Sequence, residues 1–230
     1  MHHKYYKIIQ SCFLFSLIKM LGSCSEKESA VNGSDHNLSK SYETSFKILI
    51  LGDSLTEGYG VNEEQSYPFL LEKKLNTEIT ARTGKNYKII NGGISGSTTS
   101  GGVARIEWFL RSEPDLLILA LGGNDGLRGI PTSEIRKNLS LIIKAAQTKK
   151  IQVLLAGMKI PPNYGLEYTV KFSSLFQEIS EEFEIPMIPF LLEGVGGVAE
   201  MNLPDRIHPN FKGHQVMSET VYENLIKILE

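Results

Sequence analysis

Ser54, Asp205 and His208 are residue types that together could activate a hydroxyl for attack on a carbonyl carbon. A serine hydroxyl is a weak nucleophile until a base takes its proton. From Phe46 onward the chain holds only two histidines, His208 and His214, so the choice of base is narrow. Asp205 stands three residues before His208. That spacing lets its carboxylate fold back onto the imidazole Nδ1–H, fix the tautomer and stabilise the imidazolium that forms. His214 has no such neighbour and falls within the last helical pattern, where a lone histidine is structural or exposed. A tetrahedral intermediate would also need donors for its oxyanion. The N–H of Ser54, the N–H of Gly96 and the side-chain amide of Asn124 are three candidates, and a glycine at 96 lets the backbone approach closely. Each position has a plainer reading as well. Asp53 and Ser54 both suit a helix N-cap, Asn124 suits a turn that bonds its own backbone, and 92–102 reads as a glycine-rich loop.

These groups can meet only if the elements between them bring them to one place. Phe46-Lys47-Ile48-Leu49-Ile50-Leu51 is an apolar run of strand length that stops at Gly52. Such a run reads as a strand buried on both faces. Further strands are expected at Tyr87–Asn91, Asp115–Leu121, Ile151–Gly157 and Pro186–Phe190. Helical periodicity fills the gaps, with core stripes at Tyr67, Leu70, Leu71 and Leu75; at Ile106, Phe109 and Leu110; at Ile135, Leu139, Ile142 and Ile143; and at Val170, Leu175, Phe176 and Ile179. A final helix is expected to begin near Pro209, a residue suited to a first helical position, and to present Val216, Val221, Leu225 and Ile228 or Leu229. This alternation implies a three-layer α/β/α sandwich around a mostly parallel sheet. In such a sheet, chemistry collects at the carboxyl ends of the strands. The turns after the first three strands, Gly52–Leu55, Asn91–Thr98 and Gly122–Asp125, would then share one edge with Asp205–Pro209.

Other chemistries fit less well. The loop 92–102 has no G-x-x-x-x-G-K-[ST] pattern, which argues against a P-loop nucleotide site. Its Ser-Gly-Ser-Thr-Thr-Ser run could form a phosphate nest, as in a flavin carrier, but that leaves Asp205 and His208 without a role. A metal would need a third ligand beside those two, and none stands at ligand spacing. The net charge of −2 and the lack of a basic run argue against nucleic acid as a partner.

The first residues read as a targeting segment. Lys4 and Lys7 precede an apolar stretch of about eleven residues, Ile8 to Ile18, which fits a secretory leader and is too short to cross a bilayer. The segment ends in Leu21-Gly22-Ser23-Cys24, which resembles the lipobox of bacterial lipoproteins. Residues 1–23 are therefore expected to be a lipoprotein-type signal peptide and Cys24 a lipidation site, with plain secretion after cleavage near Ser23 as the other reading. Cleavage removes Cys12 and leaves one cysteine, so the mature chain could form no internal disulfide. Residues 24–45 are polar and read as a disordered tether, about 25 Å in mean span. An exported domain of 46–230, held near a membrane or the cell envelope and working as a monomer, is the expected organisation.

Gly52-Asp53-Ser54-Leu55, Gly96 within Asn91–Thr98, Gly122-Gly123-Asn124-Asp125 and Asp205-x-x-His208 resemble, in order, the four motif blocks of the SGNH (GDSL) hydrolase family. The likeness is greatest to its bacterial periplasmic acyl-CoA thioesterase, lysophospholipase and arylesterase branch. Gly123–Gly129 and Pro162-Asn163-Tyr164-Gly165 resemble that branch's substrate-crevice loops. The resemblance implies a flavodoxin-like fold, an ester or thioester substrate (lysophospholipid among them) and no cofactor or metal. It implies Ser54 as nucleophile, His208 as base, Asp205 as its orienter, and Ser54, Gly96 and Asn124 at the oxyanion hole. Leu127, Ile130, Met158, Ile160 and Tyr164 are candidates for the lining of an acyl channel, with core packing equally open for Met158 and Ile160. Two other functions stay open at this stage: a carbohydrate acetylesterase of the same family, and a catalytically idle surface lipoprotein that binds a partner.

Overall fold

A computed structural model describes residues 45–229. The expected leader, Cys24 and all but the last residue of the expected tether lie outside the described residues. Within them, β1 (Phe46–Gly52), β2 (Tyr87–Gly93), β3 (Leu116–Ala120), β4 (Gln152–Ala156) and β5 (Met187–Ile188) form one parallel sheet in the order β2-β1-β3-β4-β5. Ile48 to Leu51 and Leu116 to Leu119 are fully buried, as continuous apolar runs in a sheet covered on both faces should be. The register sets Gly52 opposite both Gly93 and Ala120. Three chain segments therefore leave the sheet level with one another. The chain steps to opposite sides of β1 to make β2 and β3, and the crevice of a doubly wound sheet opens at such a switch.

Among the described residues eight α-helices accompany the sheet: α1 (Ser54–Glu57), α2 (Tyr67–Glu78), α3 (Thr80–Thr83), α4 (Thr99–Phe109), α5 (Gly123–Leu127), α6 (Thr132–Thr148), α7 (Leu166–Glu182) and α8 (Phe211–Leu229). On one side α2 packs on α8; α4 packs on α6, and α6 on α7, to form the other layer. Architecture and sheet follow the sequence reading, an α/β/α sandwich of flavodoxin-like kind.

The differences are local and have physical causes. β2 runs on through Gly92 and Gly93, because it pairs with β1 as far as Gly52. β3 and β4 are each a residue shorter at both ends than expected. β5 shrinks from five residues to two, since Pro186 and Pro189 flank Met187–Ile188 and lack the N–H that a ladder needs. Val170 does not join the core stripe of α7. It lies about 200° around the helix from Phe172, and it is exposed while Phe172, Leu175, Phe176 and Ile179 are buried. α8 starts at Phe211 rather than at Pro209. Asn210 caps it: its Oδ1 accepts the N–H of Gly213 at 3.2 Å, and its backbone O accepts that of His214 at 2.9 Å.

Phe176 supports the turn that leads to Asn124. Its ring meets Phe172 edge-on at 5.5 Å and presses against Gly122, whose φ is +118°. A Cβ on Gly122 would lie 3.0 Å from the Phe176 ring. Phe176→Ala should lower the unfolding free energy by about 3–5 kcal/mol in a denaturant titration.

Candidate active site

At the end of β1 the chain turns straight into α1. Asp53 takes the cap, its Oδ1 accepting the N–H of Leu55 at 3.0 Å. The Ser54 hydroxyl is thus not used for capping, and its Oγ lies 3.0 Å from His208 Nε2. Asp205 Oδ2 lies 2.7 Å from His208 Nδ1, while Oδ1 accepts the N–H groups of Ile207 at 2.9 Å and His208 at 3.0 Å. With the Nδ1 proton directed at Asp205, Nε2 of a neutral ring accepts from Ser54. The segment is closed by the Leu203 N–H donating to His208 O at 2.7 Å, with Arg206 in the left-handed region at φ +59°. Tyr59 covers the imidazole, ring centroids 4.4 Å apart.

Asp53 and Asp205 sit in opposite surroundings. Asp205 is exposed and ringed by donors from His208 and Ile207, which hold its carboxyl down at about 2. Asp53 is buried, and burial pushes its carboxyl up to about 6 against the Leu55 N–H and the Asn124 amide.

Asn124, near the start of α5, donates from Nδ2 to Ser97 O at 3.1 Å and to Asp53 Oδ2 at 3.3 Å. The N–H groups of Ser54 and Gly96 donate to no acceptor among the described residues. Gly96 has φ +73°, a conformation that favours glycine. Its carbonyl accepts from Arg128 Nη2 at 2.9 Å, and Glu57 grips its neighbour Ser95 through both the backbone N–H and the hydroxyl. Asp125 has a different task. Fully buried, it accepts from the N–H and hydroxyl of Thr99 and so holds the first turn of α4.

Beside Ser54 and His208 lies a crevice of about 510 Å³. Leu127, Met158 and Ile160 line it, together with Phe190, Leu192 and Ile207, which the sequence reading did not single out. Phe190 was assigned to a strand, and nothing in its spacing marks it as a wall residue. Gly96, Ile130 and Tyr164 lie outside the lining. Ile130 is half-buried against the core, and Tyr164 donates its hydroxyl to Leu127 O at 3.0 Å. Among the described residues no three His, Cys, Asp or Glu side chains are grouped to hold a metal ion.

His214 is buried in α8, and its Nδ1 accepts the N–H of Tyr67 at 3.2 Å. It braces the start of α2 against α8. Burial, helped by the charge of His208, lowers its pKa to about 4.

Residues 50–216 match the GDSL-like Lipase/Acylhydrolase family. The chain is 37% identical over 183 residues to esterase TesA of Pseudomonas aeruginosa, covering 79% of this chain and 89% of that one. It is 37% identical over 193 residues to an arylesterase of Vibrio mimicus, covering 84% and 94%. It is 34% identical over 164 residues to thioesterase 1/protease 1/lysophospholipase L1 of Escherichia coli K12, covering 71% and 75%. The fold matches the crystal structure of the psychrotrophic esterase EstA from Pseudoalteromonas sp. with a TM-score of 0.75 and 33% identity, over 80% of this chain and 99% of that one.

Asp53 and His214 act on stability with opposite sign. Asp53 goes from its ordinary 3.8 to about 6 on folding, so its contribution is fully present below 3.8 and lost as pH rises through 6. His214 goes from 6.5 to about 4, so its contribution is present above 6.5 and lost as pH falls through 4. Each amounts to about 3 kcal/mol, and they offset. Denaturant unfolding between pH 4 and 6.5 should therefore show Asp53→Asn losing stability on acidification. His214→Asn should gain stability over the same range.

Proposed function

We propose that this chain, which belongs to the GDSL-like lipase/acylhydrolase family, hydrolyses acyl esters and thioesters through an acyl-enzyme on Ser54. The observation that carries the proposal is the continuous line of hydrogen bonds from Ser54 Oγ through His208 to Asp205. His208 Nε2 takes the hydroxyl proton as Oγ attacks the acyl carbonyl carbon. The carbonyl oxygen becomes an oxyanion, held by the N–H groups of Ser54 and Gly96 and by the Asn124 amide. To serve there, Asn124 exchanges its longer contact, to Asp53, for the oxyanion. The imidazolium, balanced by Asp205, then protonates the departing alcohol or thiol. Water, deprotonated by the same nitrogen, attacks the acyl-serine and releases the acid. Every group in this sequence comes from one chain, so the site needs no second copy, and the reading keeps a monomer as the working unit.

Acyl chains would lie along Leu127, Met158 and Ile160. The apolar wall continues through Phe190, Leu192 and Ile207, which favours a chain longer than acetyl and so counts against the carbohydrate acetylesterase reading. Lysophospholipid enters as a substrate class through the relative whose name includes that activity. The leader pattern at Lys4–Ile18 and the Leu21-Gly22-Ser23-Cys24 sequence support an exported protein anchored by lipid at Cys24. Among the described residues no helix is long and apolar enough to cross a membrane. A Cys24→Ala protein that remained membrane-bound would remove the anchoring proposal.

The test is hydrolysis of p-nitrophenyl esters from C2 to C16. Ser54→Ala should lower kcat/KM by at least about 10⁴-fold, and Asp205→Asn by about 10³–10⁴-fold. Asn124→Ala should cost about 10²–10³-fold in kcat. Equal activity in Ser54→Ala would overturn the assignment. A profile confined to C2 would favour the acetylesterase.

A further inference from the structure

Arg105, on α4, is a half-buried cation that bonds to no carboxylate among the described residues. Its Nη2 donates to Gly52 O at 2.7 Å and to Gly92 O at 3.4 Å, the carbonyls at the carboxyl ends of β1 and β2. Its Nη1 donates to the Ser97 hydroxyl. Its Nε is buried and has no acceptor among the described residues. Burial pulls the guanidinium pKa below its ordinary value, opposed by the charge of nearby Asp53. A buried cation with an unpaired N–H opposes folding unless its contacts repay it.

Ser97 gives those contacts their meaning. It follows Gly96 directly, but the Gly96 N–H belongs to the Ser95–Gly96 peptide, which Glu57 holds from the other side through Ser95. The Ser97 backbone O accepts from Asn124 Nδ2, and its own N–H donates to Ile94 O at 3.0 Å. Ser97 therefore holds one oxyanion donor directly, the Asn124 amide. Arg105 in turn fastens Ser97 to Gly52, the residue before the Asp53–Ser54 turn. Gly101 leaves room for the contact, because a Cβ there would lie 2.8 Å from Ser97 Oγ and 3.4 Å from Arg105 Nη1.

We infer that Arg105 is a positioning residue for the reaction: through Ser97 it sets the Asn124 amide against the nucleophile turn. The inference rests on the oxyanion donors proposed above. It predicts a defect in the transition state rather than in substrate binding, since an oxyanion exists only there.

The experiment is steady-state kinetics on a p-nitrophenyl ester with the full chain. Arg105→Met should lower kcat by about 10–10²-fold, within the loss expected for a misplaced oxyanion donor, with KM changed less than about threefold and the shape of the pH profile kept. Arg105→Lys, which keeps the charge and a donor, should recover part of the rate. In an Asn124→Ala background the same Arg105→Met change should cost less than about threefold, because the donor it positions is gone. An unchanged kcat, a change confined to KM, or a full additional loss in that background would overturn the inference. Should Arg105→Met not fold, Ser97→Ala removes the same link with one atom; a loss of kcat below twofold there would sink it. If Asn124→Ala itself leaves kcat unchanged, it is the oxyanion reading that has failed. If Asn124→Ala is slow and the Arg105 and Ser97 variants are not, only the present inference has.

Discussion

The hydrogen bond between Ser54 Oγ and His208 Nε2 joins residues 154 positions apart in sequence, and the rest of the structure serves to hold it at 3.0 Å. A hydroxyl and an imidazole separated by that much chain meet only if both are carried on rigid supports. β1, buried on both faces, carries the serine. α8, packed on α2 and capped by Asn210, carries the loop that ends in the histidine. His214 and Tyr67 tie those two helices together from within. The contact is therefore set by packing of the sheet and its helices, and the short loops only finish it.

Charge placement around that bond follows from solvent access. Two aspartates stand within reach of the reacting groups, and they differ in every respect that matters. Asp205 is exposed and surrounded by N–H donors, so it stays ionised far below neutrality and can balance a cationic ring. Asp53 is adjacent to the nucleophile and buried, so ionisation is costly, and its carboxyl is occupied by the Leu55 N–H and the Asn124 amide. A fully solvated carboxylate at position 53 would set a negative charge beside the place where an oxyanion is to form. Burial keeps the Asp53 carboxyl protonated only below about pH 6; above it, the Leu55 N–H and the Asn124 amide are the donors that hold its charge.

The glycine-rich segment between β2 and α4 shows how a loop with little apolar content can still be fixed. It has few side chains to bury, so it is held by polar contacts from four other places: Glu57 at Ser95, Arg128 at Gly96, and Arg105 and Asn124 at Ser97. Glu57, Arg105 and Asn124 sit on helices, and Arg128 caps the end of α5. Flexibility read from composition is thereby converted to order by neighbours that composition does not reveal.

Sequence by itself determined the strands, the order of the layers and the residue types at the site. Apolar runs and periodic stripes are local signals, and the Asp205-x-x-His208 spacing is a local geometry. The local pattern also held the grounds for two departures from it: Val170 has the right residue type but the wrong angle on α7, and Pro186 and Pro189 cut β5 short. Tertiary structure alone decided which of Asp53 and Ser54 would cap α1, since both types can. It alone selected Phe190, Leu192 and Ile207 as crevice walls in place of Ile130 and Tyr164, because a wall is defined by what lies opposite it. It also revealed Arg105, whose partners are two backbone carbonyls and a serine hydroxyl. Carbonyls are common to every residue, so no pattern of side chains in a sequence can mark the arginine that will reach them.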